Sequence, residues 1–293
     1  MKRFESKGLS LCLRGREEMS ILGAANGRVH FKDGNAVDYA RFGRGPRVLI
    51  MLPGVGDGLK TAEGMALPMA VLYRELAEDF TVYMISRRRE LPPHFTTRHM
   101  ARDVAHVMHV LGIGSACVLG VSQGGMIAEW LAIDYPEKVD KLILTVTTCR
   151  QNTVLREAID GWMKMAERGD YRGIMTDTAQ KSYSPARFKI MGPVYALMGN
   201  IGRPEDFDKP EGHGRFLTQA ESCLTHDASC ELGKIRCPVL VIGGKEDRIA
   251  SGEASEEIHE RIPGSELYLY DGLGHGLYEE AGDFLGRVKA FFG

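Results

Sequence analysis

The chain has 293 residues, with 37 Lys and Arg against 39 Asp and Glu, a net charge of −2. That balance argues against a nucleic acid or an anionic membrane as partner, since either calls for a basic surplus on some face. The composition, 44% hydrophobic and 26% charged, is that of a globular chain, and no stretch approaches the ~20 apolar residues of a membrane span.

Residues 1–24 read as an N-terminal extension. Met1 to Ser20 bears Lys, Arg and Glu and lacks an apolar signal core, and Met19 offers an alternative start. From Gly27 to Phe42 the pattern is a hairpin turning at Lys32-Asp33-Gly34-Asn35. A short buried strand, Arg47 to Leu52, stops at Pro53-Gly54, and a helix is expected over Met69 to Glu78. Thr81 to Ser86 is the next strand, and the following Arg87-Arg88-Arg89 reads as a solvated loop. Met100, Val104, Val107, Met108 and Leu111 share one face of a helix over Thr97 to Leu111. Ala116 to Val121 is a strand, Gly124 to Tyr135 a helix, and Lys141 to Val146 a strand.

Helical segments without a strand then fill residues 150–233. After Lys234 the alternation returns with strand Pro238 to Gly243, helix Glu253 to Ile262, strand Glu266 to Tyr270 and helix Glu280 to Phe292. Strands alternating with helices imply a mostly parallel sheet flanked by helices, an α/β fold. The simplest architecture is one sheet domain, residues 25–149 and 234–293, interrupted by a helical insertion.

Six cysteines (Cys12, Cys117, Cys149, Cys223, Cys230, Cys237) show no metal-ligand spacing, and their scatter favours a reducing, cytoplasmic setting, with a Cys223–Cys230 bridge left open. His99, Asp103 and His106 fall near one another on a helix, but a polar edge beside its apolar face accounts for them without a metal. Neither a metal nor a cofactor is implied.

Gly120-Val121-Ser122-Gln123-Gly124 matches G-x-S-x-G and sits between a strand and a helix, where a sharp turn would hold the Ser122 hydroxyl above the sheet. A serine hydroxyl needs a base. His275, in the loop Gly272-Leu273-Gly274-His275-Gly276 after the last strand, satisfies the chain order of nucleophile, acid, base. His213, His226 and His259 read as surface residues. Asp247 follows strand Pro238 to Gly243 and is placed to hold the tautomer of His275. Glu246 beside it and Asp271, four residues before His275, are weaker rivals, and Asp271 reads as a turn residue. Oxyanion donors are expected at the N–H groups of Gln123, directly after the nucleophile, and Val55, in the glycine loop Pro53 to Gly58. That loop lacks the Lys-Ser/Thr ending of a phosphate cradle.

These motifs resemble the α/β-hydrolase superfamily from about residue 25 onward. The segment Gly120 to Thr147 is similar to the branch containing carboxylesterases and enol-lactonases. Two local departures stand out: Pro53-Gly54 replaces a usual His-Gly, and Ser86-Arg87-Arg88-Arg89 replaces a usual Asp-x-Arg-Gly. The resemblance implies that residues 150–233 form a helical cap. It further implies cofactor-free hydrolysis of a small-molecule carboxylic ester or lactone through an acyl-enzyme. A C–C hydrolase, an aminopeptidase or a non-catalytic small-molecule sensor of the same fold are the alternatives, and a homo-oligomer is left open.

Overall fold

The computed structural model describes residues 21–293, so the expectations for residues 1–20, Met19 and Cys12 included, lie outside the described residues. Strands β1 (Ala25–His30) and β2 (Ala36–Phe42) form the expected hairpin, followed by β3 (Arg47–Leu52), helices α1 (Ala66–Leu72) and α2 (Arg74–Ala77), and β4 (Phe80–Arg88). Next come α3 (Thr97–Val110), β5 (Ala116–Val121), α4 (Gln123–Asp134) and β6 (Val139–Thr145). Four helices stand between β6 and β7 (Val239–Gly244): α5 (Thr153–Glu167), α6 (Tyr171–Ser182), α7 (Pro185–Ile201) and α8 (Pro210–Leu224). The chain closes with α9 (Glu253–Arg261), β8 (Glu266–Tyr270), α10 (Leu277–Glu280) and α11 (Phe284–Phe292).

The eight strands form one sheet in the order β1-β2-β4-β3-β5-β6-β7-β8, antiparallel through β1, β2 and β4 and parallel from β4 to β8. Helices cover both faces. On one, Ile50, Val118 and Leu144 pack against Met100, Val104, Ile127 and Leu131 of α3 and α4. On the other, Leu49, Leu119 and Ile242 pack against Leu76, Phe284 and Phe292. Both faces of the central parallel strands β5 and β7 are buried, which is why they read as continuous apolar runs rather than alternating ones.

Three boundaries differ from the sequence reading. The helix expected over Met69 to Glu78 is two helices, broken at Tyr73, whose backbone (φ −105°, ψ 31°) leaves the helical region. The closing helix, expected from Glu280, begins at Phe284 as α11, after the separate short helix α10. The Arg87-Arg88-Arg89 run is not a solvated loop: β4 extends through Arg88, and Arg87 is 3% exposed. Arg88 grips Asp103 of α3 with Nε at 2.6 Å and Nη2 at 2.8 Å, a bidentate pair that also takes Asp103 out of any metal site.

The helical segment between β6 and β7 has a small core of its own, in which Leu155, Ile159, Trp162, Ile174, Phe207 and Phe216 meet Met126 of α4 and Ile249. Its two ends are held side by side. Ala228 N–H donates to Cys149 O at 2.8 Å, Gln151 N–H donates to His226 O at 3.3 Å, and Arg150 bridges Asp227. His226 is buried, contrary to the surface reading, with Nδ1 2.9 Å from Thr97 Oγ1 and Nε2 2.9 Å from Glu129 Oε2. Burial pushes the Glu129 carboxyl up, and the nearby His226 opposes that rise. His213 is buried as well, with Nδ1 2.9 Å from Phe207 O. Among the described residues every cysteine is free, so the bridge left open at Cys223–Cys230 does not form.

Candidate active site

The turn from β5 into α4 places Ser122 at φ 54° and ψ −123°, a backbone conformation that side-chain-bearing residues avoid. Two contacts hold it there. Ser122 N–H donates to Thr145 O of β6 at 2.9 Å, and Thr147 Oγ1 donates to Ser122 O at 2.8 Å. Such a turn requires strand and helix to approach closely. A Cβ on Gly124 would sit 1.9 Å from Leu52 O, which is why glycine stands at that position.

Asp247 and His275 come from the loops after β7 and β8 and meet at 2.8 Å, Asp247 Oδ2 to His275 Nδ1. Both are buried, at 7% and 6% exposure. The other carboxylate oxygen of Asp247 accepts from Ile249 N–H at 2.8 Å and Ala250 N–H at 2.9 Å, so the acid cannot swing away. The His275 loop is pinned by Gly276 N–H donating to Ser182 O at 2.8 Å, a tie to the end of α6. Asp271 is exposed and pairs with Lys245 at 2.7 Å, in keeping with its reading as a turn residue. His259 lies on α9 with Nδ1 2.8 Å from Ser265 Oγ, away from this group.

Ser122, His275, Gly54 and Val55 line one cavity of about 380 Å³. The loop after β3 borders the serine directly: a Cβ on Gly54 would lie 3.6 Å from Ser122 Oγ. Val55 begins a 3-10 turn over Val55–Gly58, and Gln123 begins α4. The remaining walls are mainly apolar. Met84, Val121 and Ile249 face the cavity from the sheet side, and Trp162, Met175 and Phe216 from the insertion. A polar corner is formed by Tyr195, whose hydroxyl is 2.7 Å from that of Tyr183; Tyr183 in turn donates to Glu279. Burial pushes the Glu279 carboxyl and the Tyr183 phenol up.

Sequence reasoning missed the buried charge beneath the glycine loop. Asp57 is 5% exposed and pairs with Arg215 of α8 at 2.5 Å, while Arg87 donates its backbone N–H to the same carboxylate at 3.1 Å and its guanidinium to Pro53 O. Burial pushes the Asp57 carboxyl up, but Arg215 and Arg87 outweigh it and hold it below the ordinary value. Burial also draws the Arg87 guanidinium down to about 10. With Pro53 in place of histidine, the loop is anchored from outside itself, by the arginine of β4 that sits where the second departure occurs. No local signal links Asp57 to Arg215, which stand 158 residues apart.

A mostly parallel eight-stranded sheet with a strained serine after β5 and a histidine–carboxylate pair after β8 and β7 defines the α/β-hydrolase class. The sequence profile of the alpha/beta hydrolase fold family matches residues 47–282, and the chain belongs to that family. A candidate carbamate hydrolase, RutD, of Caulobacter sp. (strain K31) is 27% identical over 199 residues, 65% of this chain and 69% of the relative. The pimeloyl-[acyl-carrier protein] methyl ester esterase of Neisseria meningitidis serogroup B (strain H44/76) is 29% identical over 184 residues, 60% of this chain and 66% of the relative. Among solved structures, the enol-lactonase from Burkholderia xenovorans LB400 aligns with a TM-score of 0.74 at 20% identity, covering 89% of this chain and 97% of the other. Among the described residues no helix is long and apolar enough to cross a membrane.

Proposed function

We propose that the protein is a serine hydrolase of small-molecule carboxylic esters or lactones, with Ser122 as nucleophile, His275 as base and Asp247 as the residue that orients it. The observation that carries this reading is the buried 2.8 Å Asp247–His275 pair opening on the same cavity as the strained Ser122. In this reading Ser122 Oγ attacks the carbonyl carbon as His275 Nε2 takes its proton. The tetrahedral oxyanion is held by the N–H groups of Val55 and Gln123. As the intermediate collapses, the protonated His275 returns its proton to the departing alkoxide, leaving an acyl-serine. Water, deprotonated by His275, then releases the carboxylic acid and restores Ser122.

Residues 150–233 act as a cap over the site, and their Trp162, Met175 and Phe216 favour a substrate with an apolar acyl or alkyl part. The esterase and lactonase relatives support the same bond type. Free cysteines at 117, 149, 223, 230 and 237 support a reducing compartment such as the cytoplasm.

The test is turnover of p-nitrophenyl esters of increasing chain length together with labelling by a fluorophosphonate, in wild type and Ser122→Ala. Both signals are expected in wild type and neither in the variant. Labelling without turnover would move the reading to a small-molecule sensor, and the absence of both from folded wild type would remove Ser122 as nucleophile.

A further inference from the structure

Helix α8 meets the loop after β3 at close range: a Cβ placed on Gly58 would lie 2.8 Å from Phe216 Cα. At this contact the Arg215 guanidinium serves four acceptors. Nε donates to Arg88 O at 2.8 Å, Nη1 to Asp57 O, and Nη2 to both Asp57 Oδ2 and Arg87 O, the latter at 3.1 Å. Gln219 Nε2 adds a donor to the same carboxylate at 3.3 Å. From the sheet, the Arg87 side chain holds Pro53 O, so Pro53 and Asp57 are both fixed, with Val55 between them. Beyond Ser122, the Gln123 side-chain amide donates to Gln219 O at 2.7 Å and Ser222 Oγ at 3.1 Å, and Gln123 is fully buried. Thus Asp57, two residues after Val55, and Gln123, directly after Ser122, are both tied to one helix of the segment between β6 and β7.

We infer that α8 is a positioning element of the oxyanion hole: Arg215 and Gln219, acting through Asp57 and Gln123, hold the Val55 and Gln123 N–H groups in register with Ser122, so the hole is complete only when the insertion is docked. This rests on the serine-hydrolase reading above. A fork donor on a buried carboxylate fixes direction as well as charge, which a flexible ammonium does not. Because an oxyanion hole acts on charge that develops in the transition state, a small displacement of its donors lowers the rate without weakening ground-state binding.

The experiment compares p-nitrophenyl butyrate hydrolysis with binding of two ligands: 1,1,1-trifluoro-2-octanone, whose adduct with a serine is a tetrahedral oxyanion, and 2-octanone, which mimics only the ground state. Arg215→Met alone would take from the Asp57 carboxylate the arginine that pairs with it and leave only Arg87 as countercharge, so Arg215→Met/Asp57→Asn, which removes the pair and keeps the Arg87 bond to Pro53 O, is measured beside it. In both variants kcat and trifluoromethyl ketone affinity are expected to fall together by roughly 10- to 100-fold, while KM and 2-octanone affinity stay within about 3-fold. Arg215→Lys is expected to restore only part of the rate. Wild-type kcat in a folded variant, or equal losses for both ketones, overturns the inference and leaves Ser122 as nucleophile. A wild type that neither turns over esters nor binds the trifluoromethyl ketone removes the serine-hydrolase reading and this inference with it.

Discussion

In the sheet, the geometry around Ser122 comes from backbone: a strand, a turn at φ 54°, and glycines where two main chains touch. In the helical segment between β6 and β7 the cavity wall comes from side chains, and its small core leans on Met126 of α4 and on Ile249 after β7. The insertion also leaves an apolar strip open on α7, where Ile190 is 68% and Ile201 76% exposed, a pattern without counterpart among the buried strands β5 to β7. Main-chain geometry tolerates little substitution, whereas a wall of Met, Trp and Phe can be reshaped one residue at a time. The proposed chemistry sits on the first kind of structure and the choice of substrate on the second.

The sharpest way to separate the two is to remove reactivity without touching packing. Ser122→Ala is expected to lower kcat/KM by about 10⁴-fold or more, about 5.5 kcal/mol of transition-state stabilisation, while calorimetry finds the melting temperature nearly unchanged. An equal loss of stability would mean that the site and the fold are not separable here. Trp162→Ala strikes the other region. It empties a buried site and takes from Asp177 the indole N–H that contacts it at 2.7 Å, leaving Lys181 as its partner, and is expected to cost about 3–5 kcal/mol in chemical denaturation. If the insertion is energetically its own unit, this variant will show two transitions by fluorescence and circular dichroism; one shared transition would mean that the contacts through Met126 and Ile249 fuse the regions.

A gentler probe is Met175→Ala, which enlarges the cavity from the insertion side. The chain-length profile on p-nitrophenyl esters is expected to shift toward longer acyl groups by roughly 10-fold in relative kcat/KM, and an unmoved profile would take Met175 out of the substrate wall. The smallest effect is on acid stability. The Asp57 carboxyl is held below its ordinary value of 3.8 in the fold, so the unfolded chain takes up its proton first as pH falls. The stability it contributes is present above that ordinary value and is lost as pH drops through the folded one. Asp57→Asn should therefore flatten the steep acid limb of a stability-against-pH curve, and an unchanged limb would mean that other carboxylates set it.

The same division explains what could be read in the sequence. The elbow around Ser122 is local, five residues between an apolar run and a helix, and the order of Asp247 and His275 along the chain follows from a parallel sheet with its loops on one edge. The break at Tyr73 carries no proline or glycine, so periodicity runs through it, whereas Gly282 ahead of Phe284 is a local breaker that the helical pattern over Glu280 to Phe292 passes over. Arg87 reads as solvated because three adjacent arginines ordinarily are; its burial is offset by the Asp57 charge and the Pro53 carbonyl, both brought in from another loop. His226 faces the same difficulty. Its partners Thr97 and Glu129 are 129 and 97 residues away, and nothing in the local pattern around Thr225-His226-Asp227 announces either.

The pairing of the insertion's two ends, Cys149 with Ala228 and Arg150 with Asp227, has a consequence for how such a chain can change. Because the sheet already brings the two crossing points within one hydrogen bond, whatever lies between them starts as a closed loop. The entropy of closing a loop grows only logarithmically, about 0.6 kcal/mol for each doubling of length. Residues between those points can therefore be lengthened, shortened or exchanged at little conformational expense to the sheet. A graft spliced at Arg150 and Asp227 would inherit the closure, and the fold offers this site as a socket for foreign helices.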